Sequence, residues 1–289
     1  MMEFRPLSDL LCRVGESPVW DERRNALFIC DIPGPSLHLI DFEGTIRGTW
    51  SFNAPVASVG LAESGRVVIA LGRDVIVFNP DNGSMNLLAR TPEPETNRLN
   101  DGKVGPDGRF YVGGMDTSPQ KDSIASLYRV SADGSIERLV QDLQISNGLA
   151  WSPDGKRMYH SDTRGPWIDC YSFDPEQGSI SGRRRFADLN DVTGKPDGGA
   201  CDQAGNYWCA GVTAGVLNRF SEDGELLASH PLPLRAPTMP CFCGPGLNLM
   251  IITSISDGVP DLQPNGLDGR VLIGPAPAAG VPVARMRGI

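Results

Sequence analysis

Four residues with oxygen-bearing side chains, Glu16, Asn100, Asn147 and Asp197, each stand at the head of a short segment, and the segments are degraded copies of one pattern. The copies read ESPVWDERR from Glu16, ASVGLAESG from Ala57, NDGKVGPDG from Asn100, NGLAWSPDG from Asn147, DGGACDQAG from Asp197 and, more loosely, MPCFCGPGL from Met239. Two carboxylates and two amides form a hard donor set without thiolate or imidazole. Such a set suits calcium, magnesium, manganese or another divalent ion. Taken singly, Asn-Gly and Asp-Gly make turns more often than ligand sites. Four in equivalent places, with Glu16 in a Gly-Glu-Ser-Pro setting that no turn requires, point to a metal site.

For those residues to converge, the scaffold must repeat. The turns that follow the leading segments fall at Asp21, Ala62, Gly105, Ser152, Asp202 and Gly244, giving spacings of 41, 43, 47, 50 and 42 residues. Six copies of this length nearly fill the 289-residue chain. Each copy alternates short strands with turns. The fourth runs GLAWS, PDGK, RMYHSD, TRGPW, IDCYSFD, PEQGS and ISGRRRFA. Runs rich in β-branched and aromatic residues, bounded by Asn-Gly, Asp-Gly or Pro-Asp-Gly, are hairpin signals. No segment keeps a 3.6-residue apolar period over a helix length. The expectation is an all-β, six-bladed β-propeller, one domain over residues 1–289, with the metal site at the mouth of its central channel. In that fold the first strand of each blade lines the channel, so equivalent leading residues face one another. The ring must close to avoid exposed edges. The N-terminal EFRPLSDLLCRV and the C-terminal GRVLIGP and VPVARM are the segments expected to share the last blade.

Composition narrows the function classes. Hydrophobic residues at 40% with 21% charged exclude global disorder. A net charge of −9 argues against a nucleic-acid or anionic-membrane partner, which needs a basic footprint. Seven cysteines without a C-x-x-C pair disfavour a disulfide framework or a Cys₄ zinc site. Cys241-x-Cys243 would share one strand face, and packing accounts for it better than metal or redox chemistry. The N-terminus lacks a signal-like apolar stretch, so the expectation is a cytoplasmic protein, a monomer or small homo-oligomer.

The segments Gly15-Glu16-Ser17-Pro18-Val19-Trp20, Asn97-Arg98-Leu99-Asn100-Asp101-Gly102-Lys103, Ser146-Asn147-Gly148-Leu149-Ala150-Trp151 and Pro196-Asp197-Gly198 resemble the motifs of the SMP-30/gluconolactonase/regucalcin family in order and spacing. That resemblance implies a six-bladed propeller holding one divalent ion (calcium, zinc, magnesium, manganese or iron(II)) and hydrolysing a sugar lactone to the aldonic acid. It assigns Glu16, Asn147 and Asp197 as metal ligands. It sets Asn100 beside metal and substrate, and Arg98 on the substrate's oxygens. Within that scheme Asp197 is the expected general base, because a carboxylate at the metal edge reaches both metal and water; Glu16 is the alternative, although its place at the start of the first blade suits a fixed ligand. Arg98 offers a planar fork of donors that Lys would replace poorly.

Other positions carry weaker expectations. Asp101 shapes the Asn-Asp-Gly turn. Met115 and Asp116 end a second strand at the same mouth and are expected to touch substrate. The family often places an acidic substrate contact slightly further on, where this chain has Ser118-Pro119. His160 and Asp162 also approach the mouth, with a structural hydrogen-bonding role favoured for His160. His38 and His230 lack acidic or nucleophilic company. A Ser-His-Asp hydrolase is disfavoured because no G-x-S-x-G elbow occurs. The turn-rich stretch Ser254–Gly269 has the length of a lid or binding loop, and Leu267-Asp268-Gly269-Arg270 departs from the family's usual apolar step. The alternatives are a phosphotriesterase or arylesterase on a related propeller, which would want a more apolar pocket, and a non-catalytic calcium-binding propeller.

Overall fold

In a computed structural model, residues 2–258 and 266–289 are described. The expected lid, Ser254–Gly269, therefore lies partly outside the described residues. The described chain forms six sheets around a channel, antiparallel except where the tail joins one of them. The innermost strands are Gly15–Asp21, Val56–Ala62, Asn97–Val104, Ser146–Trp151, Pro196–Cys201 and Pro237–Cys243. They head blades one to six in that order, and the innermost strand of blade six touches that of blade one, which closes the ring. The all-β six-bladed propeller is thus the fold.

Burial explains why these segments are strands. The innermost strand of blade one and the two that follow it are buried along their whole length, whereas its outer strand Ile46–Ser51 is largely exposed. The core consists of apolar layers between neighbouring blades. Phe28, Ile69 and Phe78 fill the layer between blades one and two. Tyr111, Trp151 and Phe173 meet edge to face between blades three and four. Burying one such side chain stabilises the fold by roughly 1.5–3 kcal/mol. Neighbouring blades thus hold one another, and a single blade would expose both of its faces.

Closure differs in part from the expectation. Arg5–Leu11 pairs antiparallel with Arg270–Pro275 as the outer strand of blade six. The VPVARM segment does not join that blade. Residues 276–284 cross the channel mouth, and Arg285–Met286 pairs in parallel with Leu61 and Ala62 of blade two. The outer edge of blade six is already covered by residues 5–11, so the tail must find backbone partners elsewhere. It finds them through Gln203 N to Ala279 O (2.8 Å), Gly280 N to Leu247 O (2.9 Å) and Val281 N to Cys201 O (3.1 Å). Arg285 then anchors it, donating at 2.7 Å to both Asp21 and Glu22.

One further regularity serves the site. Each innermost strand breaks register with its neighbour near its start, at Glu16/Val19, Val56/Ser58, Leu99/Gly102, Asn147/Ala150, Pro196/Gly199 and Pro237/Pro240. A bulge leaves residues unpaired and re-aims side chains. The leading position of every repeat lies at or beside such a bulge.

Candidate metal and substrate centre

Backbone conformation at the bulges shows why the motifs read as they do. Ser17 adopts φ +48°, in the left-handed region where a non-glycine residue costs roughly 1–2 kcal/mol. Its compensation is local. Ser17 N donates to Glu16 Oε2 at 2.8 Å, and Ser17 Oγ accepts from Val59 N at 2.9 Å, tying blade one to blade two. At the equivalent place in blade four the same region is taken by Gly148, φ +70°. In blade five Gly198 is required by contact instead, because a Cβ there would lie 2.5 Å from the Met239 side chain.

Blades three, four and five are joined through their polar groups. Asn100 Nδ2 donates to Asn147 Oδ1 (3.1 Å) and to Ser146 O (3.0 Å). Asn147 Nδ2 donates to Thr163 Oγ1 at 2.7 Å, and the Thr163 hydroxyl in turn donates to Pro196 O at 2.8 Å. Arg98 Nη1 donates to Leu99 O (2.7 Å) and Asn100 Oδ1 (2.9 Å), which leaves its other guanidinium nitrogens for a ligand.

The segments leading into two of the innermost strands are clamped alike. Asp31 accepts from the amides of Arg13 and Val14 just before Glu16. Asp162 accepts from those of Gln144 and Ile145 just before Asn147.

Charge in this region is unbalanced. Burial, with repulsion from Asp101, pushes the Glu16 carboxyl up to about 8. Burial, with repulsion from Glu16 and Asp101, raises Asp197 well above the usual carboxylate range. Asp101 is itself raised by burial, although the Leu149 amide donates to its Oδ2 at 3.0 Å. Burial lowers Arg98 to about 10. Glu16, Asp101 and Asp197 thus place three carboxyls in one buried field against two cations, Arg98 and Lys103, which act on them through space. Hard oxygen donors with surplus buried negative charge are the chemistry a divalent cation satisfies. Among the described residues no three His, Cys, Asp or Glu side chains form a metal-holding group. Two carboxylates would need amide oxygens to complete such a set; the neighbouring amide oxygens are Asn147 Oδ1 and Asn100 Oδ1, which accept from Asn100 Nδ2 and Arg98 Nη1 respectively.

The remaining expected positions separate. Asp116 is fully buried, and its carboxylate accepts from Ser118 N (2.9 Å), Ser118 Oγ (2.5 Å) and Asp122 N (2.8 Å). These three bonds fold its own loop and take most of the carboxylate's acceptor sites. Met115 lies opposite Arg98 in the blade-three ladder and is partly exposed. His160 is buried, hydrogen-bonded through Nε2 to Ser146 Oγ at 2.8 Å, and burial lowers it to about 3. All seven cysteines are free and buried. Sequence reasoning missed Ser17, Thr163 and Lys103. Ser17 and Lys103 stood inside quoted motifs, whereas Thr163 carried no signal of its own.

The family model described as SMP-30/Gluconolactonase/LRE-like region matches residues 14–256. The chain belongs to this family. Among its SMP-30/gluconolactonase relatives, regucalcin of Xenopus laevis is 35% identical over 253 residues, which cover 86% of this chain and 85% of that one. The 6-deoxy-6-sulfogluconolactonase of Pseudomonas putida is 36% identical over 245 residues, 83% of each chain. The solved structure of a calcium-binding regucalcin from Agrobacterium tumefaciens shares the fold with a TM-score of 0.90 at 24% identity, covering 99% of this chain and 98% of that one. The matched span takes in every motif from Gly15 to Gly198.

Proposed function

We propose that this protein is a divalent-metal-dependent lactonase that opens an aldonolactone to the aldonic acid. The observation that carries the reading is the electrostatic one: Glu16 and Asp197 lie buried in mutual repulsion, close to Asn100, Asn147 and Arg98, at the bulges of the channel-lining strands. Glu16, Asn147 and Asp197 would hold the ion. When bound, the ion polarises the lactone carbonyl and stabilises negative charge on its oxygen. The family membership and the sulfogluconolactonase relative support the same substrate class.

The chain's own residues perform the rest. Arg98 donates through its remaining guanidinium N–H groups to the carbonyl and hydroxyl oxygens of the sugar, Asn100 Oδ1 accepts from a hydroxyl, and the two hold the ring with its carbonyl toward Asp197. Asp197 takes a proton from water as the water oxygen forms a bond to the carbonyl carbon. The ring C–O bond then breaks, and the departing alkoxide recovers that proton from Asp197. The product is the open-chain hydroxy acid, which releases a proton to solvent. The charged and amide-rich site favours a polyhydroxylated ligand over the apolar ester of an arylesterase or phosphotriesterase. A calcium-binding role without turnover would use Glu16, Asn147 and Asp197 as well, and the regucalcin relatives favour it as the second reading.

The deciding experiment incubates the purified protein, supplied in turn with calcium, zinc, magnesium, manganese or iron(II), with five- and six-carbon aldonolactones and follows acid release. Acidification above the spontaneous rate, lost in Asp197→Asn, is expected. A wild-type protein that leaves the whole panel untouched sinks the lactonase reading.

A further inference from the structure

A second chamber, of about 350 Å³, occupies the channel at the mouth opposite the carboxylates. It is bounded by the distal parts of the innermost strands and by residues 281–284 of the tail that crosses this mouth. Val19, Val104, Pro240, Phe242 and Val283 give it mostly apolar walls. Among the described lining residues Lys103 is the one cation. Its Nζ donates to Gly199 O at 2.7 Å, which leaves two ammonium protons available. Asp154 lies at the rim, but its carboxylate is engaged by Ser152 Oγ (2.6 Å) and Lys156 N (3.0 Å) of its own turn. Among the described residues no carboxylate hydrogen-bonds Lys103: Asp101 and Glu16 act on it through space from the inner side, and none faces it from the chamber.

We propose that this chamber binds a small monocarboxylate with an apolar body, its carboxylate on Lys103. The volume falls within the range of about 300–1,000 Å³ usual for small-molecule sites, which pair apolar walls with a few placed polar groups. Apolar burial against these walls supplies the driving force. A charge-assisted bond to the ammonium fixes orientation. A sugar acid or lactone is the wrong ligand here, because its hydroxyls would lose water and meet proline and valine. A dicarboxylate would bury its second charge unpaired. The ligand is thus chemically distinct from the substrate proposed for the opposite mouth, and the inference does not depend on the lactonase reading.

Titration calorimetry on the full chain tests it, with octanoate and 3-phenylpropanoate as probes and the corresponding alcohols as uncharged controls. One equivalent of either acid is expected to bind saturably. Lys103→Met should weaken the acids by about tenfold or more, the scale of one charge-assisted bond, while leaving the alcohols unchanged. Lys103→Arg should retain acid binding, which separates lost charge from lost folding. Val283→Trp, which fills the chamber from the tail, should remove binding of acids and alcohols alike. Asp197→Asn, at the other mouth, should bind as wild type does. No saturable binding of either acid, equal acid affinity in Lys103→Met, or undiminished binding in Val283→Trp would each overturn the proposal.

Discussion

Asn100 in blade three donates its side-chain amide to the Oδ1 of Asn147 in blade four, 3.1 Å away across the blade boundary. With Arg98 donating to Asn100 Oδ1, and Asn147 donating to Thr163, the chain of bonds fixes which end of each amide faces which neighbour. The two asparagines act as one unit because each amide is held at both ends.

The first prediction follows from that chain. Thr163→Val removes the acceptor of Asn147 Nδ2 and the donor to Pro196 O while keeping nearly the same volume. Groups that orient ligands typically carry about 10–100-fold in metal affinity. Metal binding measured by calorimetry should weaken within that range, with a stability loss of about 1–3 kcal/mol from the two polar groups left unpaired. Unchanged metal affinity in a folded variant would show that Asn147 needs no such support.

Asp197→Asn keeps size and replaces the base with an amide. General-base loss costs about 10²–10⁴ in rate. Turnover of a responsive lactone should fall by at least that much, while circular dichroism and the melting temperature stay close to wild type. Relief of repulsion with Glu16 gives the variant no reason to be less stable. A variant that retains a tenth of wild-type turnover would remove Asp197 from its assigned role.

Arg285 anchors the tail far from the carboxylates. It is 9% exposed and shares its Nη2 between Asp21 and Glu22, with Asp21 fully buried. Breaking a buried pair costs about 3–5 kcal/mol, and Asp21 keeps Arg24 at 2.8 Å, so Arg285→Ala should cost about 2 kcal/mol. The bonds to Arg285 and Arg24 hold Asp21 below the usual carboxylate range despite its burial. A depressed carboxylate contributes stability above its unfolded value and loses it as pH falls through the folded one. The gap between wild type and Arg285→Ala should therefore narrow in acid. Urea melts at neutral and acidic pH measure this, and a gap that widens in acid refutes the pairing.

His160 titrates in the opposite chemical sense with the same direction in pH. Folded it sits at about 3, against 6.5 for an ordinary histidine, so the unfolded chain binds the extra proton between those values. Stability contributed by the neutral ring is complete above about 6.5 and falls as pH drops toward 3, with a limiting slope of about 1.4 kcal/mol per pH unit. In His160→Gln that part of the slope should vanish. Denaturant unfolding at pH 7, 6 and 5 reads it, and identical slopes in both proteins would contradict a buried neutral imidazole.

Most of the architecture was legible in the sequence because a propeller repeats its instructions. The spacing of the repeated turns at Asp21, Ala62, Gly105, Ser152, Asp202 and Gly244 located every innermost strand, and the leading residues at Glu16, Asn100, Asn147 and Asp197 lie at or beside the bulges. Three-dimensional competition for hydrogen bonds was not legible. The position of Asp116 at a strand end says nothing of the bonds that its carboxylate accepts from the amides of Ser118 and Asp122 in its own loop. The tail reads as a last-blade strand by its pattern, yet residues 5–11 cover that edge and send it to blade two.

The sequence by itself determined the repeat, the fold and the types of donor offered at each corner, since these depend on turn chemistry and patterning within each copy. Only the tertiary structure decided which polar atoms remain available. That depends on contacts between segments far apart in the chain: Asn147 is oriented by Thr163, Lys103 faces the apolar chamber because Gly199 holds it there, and Glu16 and Asp197 are forced into one buried field by ring closure.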